Sequence, residues 1–168
     1  MFHHRARATC VFFLVAVGAE SGGSAQPAGA AVRIRAEVRA AWNAYIDAFS
    51  RGQTDVIADR MYLAPSLSLA DATGVVVSTT AADVKDRFDS SLAALAAQQY
   101  GRSVSKRVNI CVLNEVSAVL SGEFTRYRRD GTVLAELAGT YLFVKAPAGW
   151  RIGAQIAHEA DRVLSCGT

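Results

Sequence analysis

The sequence predicts an α+β fold in which two long helices lie across one face of a curved antiparallel sheet. Two segments with helical apolar spacing precede Gly101, and four alternating, strand-like segments follow it. Between two of those segments, Asp130-Gly131 marks a tight hairpin, because both turn positions favour positive φ. Helices first and strands after is the order of a helix-on-sheet domain.

Residues 1–25 read as a signal peptide. His3, His4, Arg5 and Arg7 make a basic flank, Val11 to Ala19 is an unbroken apolar run, and Ser21 to Ala25 are small residues suited to cleavage after Ala25. The run is shorter than the roughly 20 apolar residues a membrane span needs. A secreted or periplasmic protein with no membrane span after cleavage is therefore expected. A start site placed too far upstream would instead mean a cytoplasmic one. Residues 26–32 read as a short linker, 33–164 as the domain and 165–168 as a tail. Cleavage would leave Cys111 and Cys166 as the remaining cysteines, either paired in an oxidising compartment or as two free thiols.

The first helix carries Ile34, Val38, Trp42, Tyr45 and Phe49 on one face, with Gly52 as its stop. A short helix follows through Asp55 to Met61. Leu67 and Leu69 then alternate with Ser66, Ser68 and Ala70 in a strand, and Asp71 to Gly74 turns the chain into Val75-Val76-Val77. The second long helix opens on a capping box, Thr80 with Asp83, and closes at Gly101; Val84, Phe88, Leu92, Leu95 and Gln99 form its stripe. Four strands follow: Arg102 to Leu113, Val116 to Arg129, Thr132 to Lys145 and Gly149 to Glu159.

The Asp-Gly turn sets a register that places Leu120 opposite Tyr141, Gly122 opposite Gly139 and Phe124 opposite Leu137. Arg126, Arg128 and Phe143 share that face. Glu123, Thr125, Glu136 and Thr140 lie on the other, wetter face. Pairing Lys145 with Trp150 across the last turn puts Ile152 beside Phe143, Ala154 beside Tyr141 and His158 beside Leu137. Trp150, Ile152, Ile156 and His158 then join the apolar face. The two facing glycines either let the sheet bend or clear space for a ligand.

Composition excludes several classes. Hydrophobic residues are 51% and charged residues 20%, with 3 prolines, so the chain is neither disordered nor of low complexity. A net charge of +3 gives no reason to expect a nucleic-acid partner. There is no Gly-rich phosphate loop, Cys-x-x-Cys, His-Glu-x-x-His or nucleophile elbow. One histidine and two cysteines outside the signal are too few ligands for a dedicated metal site, and no cofactor is expected.

The segment Ala138 to Lys145, a short turn, and then Gly149-Trp150-Arg151-Ile152 resemble the nuclear transport factor 2-like superfamily. Within it, the chain looks most like uncharacterised bacterial members of the SnoaL-like and ketosteroid-isomerase-like branch, over about Arg33 to Leu164. The resemblance implies a cone-shaped, cystatin-like fold enclosing a cavity. Its expected lining is Trp42, Tyr45, Phe88, Phe124, Tyr141 and His158, with Arg126 nearer the rim. Tyr45 matches, without gaps to Gly52, the tyrosine that donates to an oxyanion in ketosteroid isomerases. Leu69 stands where their aspartate base would be, and Asp71 lies two residues later at a turn, so steroid isomerisation is not expected. Relatives with this fold include isomerases, cyclases, hydrolases, dehydratases and non-catalytic binders.

Three functions follow as expectations. The first is a small-molecule-binding domain for an apolar or amphipathic ligand. The second is a cofactor-independent proton-transfer enzyme with His158 as base and Tyr45 as oxyanion donor, Tyr141 or Arg126 orienting the substrate. The third is an interaction module that forms a homodimer through the outer sheet face, where Ser121, Thr125 and Thr140 lie. Arg126, inward in phase, could also hold an anion; with Arg128 and Arg129 it could equally belong to a solvated hairpin tip.

Overall fold

The computed structural model describes residues 28–70 and 74–166. The segment expected as a signal peptide, most of the Asp71 turn and the last two residues lie outside the described residues. The elements are α1 (Ala28–Ser50), α2 (Thr54–Val56) running into a π-helical turn (Ile57–Met61), β1 (Tyr62–Ala70), β2 (Gly74–Ser78), α3 (Ala81–Ala97), β3 (Tyr100–Asn114), β4 (Ser117–Arg128), β5 (Val133–Ala146) and β6 (Gly149–His158), closed by a 3₁₀ turn (Ala160–Arg162). The strands form one curved, unclosed sheet in the order β2-β1-β6-β5-β4-β3. Every pairing is antiparallel except β1 with β6, so the sheet is mixed rather than wholly antiparallel. The long connection through β2, α3 and β3–β5 is what lets β1 and β6 run the same way.

The apolar stripe of α1 is its buried face: Ile34, Val38, Trp42, Tyr45 and Phe49 are all at most 6% exposed. The helix starts at Ala28, inside the segment expected as a linker. Its first turn is alanine-rich and leaves Val32 exposed, so helix propensity extends it without an apolar stripe to announce it. Gly52, at φ 70°, ends the helix as expected. Gln53 N–H donates to Ala48 O and Gly52 N–H to Phe49 O, the paired bonds of a Schellman motif.

The α3 capping box forms as read: Asp83 N–H donates to Thr80 Oγ1, and Thr80 N–H donates back to Asp83 Oδ2. The Thr79 hydroxyl, then the Thr80 and Thr79 N–H groups, donate to the Asp83 carboxylate and hold it below its ordinary pKa. The far end differs from expectation. Gln99, not Gly101, takes the left-handed conformation, at φ 61°. Gly101 lies in β3, where a Cβ would stand 3.0 Å from Arg128 O, so it is needed for close strand approach. Exposed Gln99 therefore carries the left-handed strain that glycine avoids. Gln99→Gly is expected to stabilise the fold by about 0.5–1 kcal/mol in chemical denaturation; a loss of stability would show that the Gln99 side chain supports the turn.

The central register is the expected one, with Leu120 facing Tyr141, Gly122 facing Gly139 and Phe124 facing Leu137. Near the tip, a bulge between Arg126 and Tyr127 shifts the pairing. Arg128, expected inward, instead donates to Val133 O. Lys145 faces Trp150 and Phe143 faces Ile152, again as expected.

Beyond Ile152 the expected register fails. Gly153 is passed over in a bulge, so Ala154 faces Leu142, Gln155 faces Tyr141 and His158 faces Ala138. One extra residue reverses every side chain after it. Gln155 turns inward, while Ile156 turns out and is 44% exposed. His158 moves to the outer face with Thr140.

That outer face is not the open, wet surface expected around Ser121, which is buried. The C-terminal segment crosses it. Leu164 N–H donates to Ser121 Oγ, Asn109 Nδ2 donates to Leu164 O, and Cys111 and Cys166 form a disulfide with Cα atoms 5.4 Å apart. In β1, Ser66 and Ser68 are buried along with Tyr62, whereas Leu67 and Leu69 are half-buried on the other side.

Candidate functional site

Between α1, α3 and the inner sheet face lies a cavity of about 500 Å³. Tyr45, Ile46 and Phe49 of α1 and Phe88 and Ser91 of α3 form one wall. Phe124 and Arg126 of β4, Leu137 and Tyr141 of β5 and Gln155 of β6 form the other. The helical spacing and the strand alternation that buried these side chains are the same features that aim them at one space.

The wall is an interlocked aromatic set. Tyr45 packs on Phe88 and on Tyr141, each with ring centroids 6.1 Å apart, and Tyr62 packs on Phe88 at 5.1 Å. Trp42, expected in the lining, lies behind it instead. Its ring sits 4.7 Å from that of Tyr141, it is fully buried, and its Nε1 donates to Ser105 Oγ at 2.7 Å. Trp42 is core because it sits one turn before Tyr45 on α1, deeper against the sheet.

Gly122 and Gly139 clear no ligand space. A Cβ on Gly139 would stand 2.9 Å from the Tyr141 ring and 3.0 Å from its hydroxyl, so that ring already fills the gap. A Cβ on Gly122 would stand 3.1 Å from Arg107 O, where β3 bulges towards it.

The polar groups are few. The Tyr62 hydroxyl donates to Gln155 Oε1, and the Tyr62 ring packs on that of Tyr45 with centroids 5.7 Å apart. Burial pushes Tyr45 above the usual phenol range and Tyr62 and Tyr141 well above it, so all three stay neutral hydroxyls at physiological pH. Arg126 reaches over the Phe49 and Phe124 rings, 5.6 and 5.9 Å from their centroids. Arg87 of α3 lies 4.7 Å from the Phe88 ring and 5.0 Å from the Tyr62 ring. At the mouth, Glu136 is held by Lys106 at 2.5 Å, and Glu159 lies 3.8 Å from Arg162.

His158 borders the cavity end, but its ring is turned away into a polar ladder on the outer face. Its Nε2 is 2.9 Å from Thr140 Oγ1, Thr140 is 2.9 Å from Ser121 Oγ, and its Nδ1 is 3.0 Å from Glu159 O. Tyr45 and His158, paired as a catalytic set in the expected register, both border the cavity, with both His158 ring nitrogens engaged by Thr140 and Glu159. The cavity keeps Tyr45, Phe88, Phe124, Arg126, Tyr141 and, at its end, His158 from the expected lining and adds Gln155, while Arg87 lies beside it against the Phe88 ring. Gly153 was the available signal for Gln155, since a glycine inside a strand often marks a bulge. Arg87 and Ser91, spaced four apart beside the Val84-Phe88 stripe, carried only a weak one.

With the helices, the mixed sheet and the cavity in place, a family model described as "NTF2-like protein (DUF6841)" matches residues 36–160. The chain belongs to this NTF2-like family. Among solved structures, the DUF6841 domain resembles an NTF2-like protein with a cystatin-like fold from Novosphingobium aromaticivorans. The two are 17% identical, with 83% of this chain and 94% of that one covered and a TM-score of 0.64. A protein of unknown function from Mycobacterium tuberculosis is 13% identical, covering 81% of this chain and 77% of that one, with a TM-score of 0.64. A dehydratase candidate of the NTF2-like family from Streptomyces avermitilis is 16% identical over 72% of this chain and 91% of that one, with a TM-score of 0.56. At these identities the likeness carries the fold. No curated protein matches the sequence. No described helix is long and apolar enough to cross a membrane. Among the described residues, no group of three or more His, Cys, Asp or Glu is placed to hold a metal ion.

Proposed function

We propose that the DUF6841 domain is an exported binding domain for a small amphipathic molecule, held in the cavity between α1, α3 and the sheet. The observation that carries this reading is the character of the cavity. It has the volume of a small-molecule site, is walled by aromatic rings and has a few converging polar groups. Acid–base chemistry through His158 is the weaker reading, because both ring nitrogens are engaged on the outer face. The Cys111–Cys166 disulfide supports export, since such bonds persist in oxidising compartments.

The test is a titration with N-phenyl-1-naphthylamine, a neutral dye that fluoresces on entering an apolar site. Saturable binding of one dye per chain is expected. Ser91 is exposed on α3 yet lines the mouth, so Ser91→Trp should obstruct entry without disturbing the core. It is expected to weaken dye binding at least about tenfold, the scale of 1.4 kcal/mol. Equal binding by the variant would place the dye elsewhere, and the absence of binding would remove the reading.

A further inference from the structure

Resting on that reading, we propose that the ligand carries a carboxylate, gripped by Arg126, with Arg87, packed on the Phe88 and Tyr62 rings beside the cavity, as a second, flanking positive charge.

Arg126 Nε and Arg87 Nε and Nη2 are buried and have no acceptor. Neither arginine is ion-paired with a carboxylate among the described residues, although lysines and arginines elsewhere in the domain are. Guanidinium is always charged and has no acceptor of its own, so an orphaned N–H there is among the costlier vacancies a fold can hold. Buried donors in native proteins are nearly always satisfied, and those that are not call for a reason. A bound anion supplies one.

Aromatic surroundings sharpen the point. The ring faces beside both guanidinium groups attract the cations but offer no strong acceptor. They also shield the buried Arg126 Nε and Arg87 Nε and Nη2 from water, which strengthens a charge-assisted hydrogen bond made there. The hydroxyls that share the space are neutral, so nothing inside opposes a negative group. The nearest carboxylates, Glu136 and Glu159, sit at the mouth, the first against Lys106 and the second beside Arg162. A carboxylate fits better than a phosphate: a guanidinium edge matches its two coplanar oxygens, and no Gly-rich phosphate loop is present. Aromatic walls then select an apolar body behind the anion.

The test uses the full chain and a matched pair of probes, 2-naphthoate and neutral 2-naphthamide, which share size and shape. Isothermal titration with each gives an affinity ratio from which general damage to the site cancels. Wild type is expected to prefer naphthoate by about tenfold to a hundredfold, the range for hydrogen bonds to a charged group. Arg126→Gln should bring the ratio to within about threefold of one, Arg126→Lys should retain part of it, and Arg87→Gln should lower it. Exposed Arg129 at the hairpin tip is the control, and Arg129→Gln should leave the ratio in place.

A wild-type ratio near one, with the naphthylamine dye still saturating, would overturn the carboxylate proposal and leave the cavity reading standing. Failure of the dye and of both naphthalene probes would overturn the two together. A high ratio that survives both Arg126→Gln and Arg87→Gln would overturn the assignment to these arginines. If circular dichroism shows Arg126→Gln unfolded, the Arg126→Lys and Arg87→Gln ratios decide by the same criteria.

Discussion

Replacing Trp42 with alanine is expected to destabilise the domain by about 3–5 kcal/mol, the range for removing a buried aromatic ring. Trp42 is fully buried, and its ring contacts those of Tyr45, Tyr141 and Phe124. Neighbours on α1 and the sheet are held by their own backbone ladders, so they can close only part of the space left behind. Against a typical total stability of about 5–15 kcal/mol, such a loss brings the fold near its limit. In a thermal melt the midpoint should fall by about 10 °C or more. Trp42→Phe separates the two contributions: it keeps most of the packing, loses the Nε1 bond to Ser105 and leaves that hydroxyl without its partner. It should cost less than the alanine change. Because Trp42 supports Tyr45 and Tyr141 from behind, Trp42→Ala should also weaken dye binding in the cavity. A loss under about 1 kcal/mol would contradict the central place assigned to this ring.

Cys166→Ser is expected to cost about 2–4 kcal/mol, and reduction of the wild-type protein to do the same. The bond closes a segment with a sequence separation of 55, and tying so long a loop reduces the freedom of the unfolded chain. The native contacts of the tail stay available after reduction: Leu164 still bonds Ser121 and accepts from Asn109. The effect should therefore appear in equilibrium denaturation more than in the shape of the folded domain. Cys111→Ser alone and the double variant should match Cys166→Ser, because the pair acts as one unit. Full stability without the bond would mean that the tail adds nothing beyond its own local contacts.

The helices were legible because their evidence is local. The stripe from Ile34 to Phe49, the Gly52 stop and the Thr80–Asp83 capping box each lie within a few residues, and all three are present. The central sheet was legible for a related reason. The Asp130-Gly131 turn joins neighbouring strands, so alternation counted outward from it gave the facing pairs. The site was legible only in part. Tyr45, Phe88, Phe124, Arg126 and Tyr141 lie where those local rules put them. Gln155 and His158 exchanged faces because a bulge at Gly153 depends on how β6 meets both β5 and β1, which no turn count reveals. Gln99 taking the left-handed position, with Gly101 spared for contact with Arg128, likewise follows from strand approach rather than helix signals.

By itself, then, the sequence determined the order of elements, the buried stripes, the register of the central hairpin and the aromatic character of the cavity. These rest on spacing and turn chemistry that act over a few residues. Only the tertiary structure decided which face received His158, that the C-terminal segment covers Ser121, that Trp42 supports the cavity from behind, and that two guanidinium groups meet aromatic faces without an acceptor. Each of those depends on strands and segments distant in sequence coming together, and a one-residue shift in that meeting reverses what a side chain can touch.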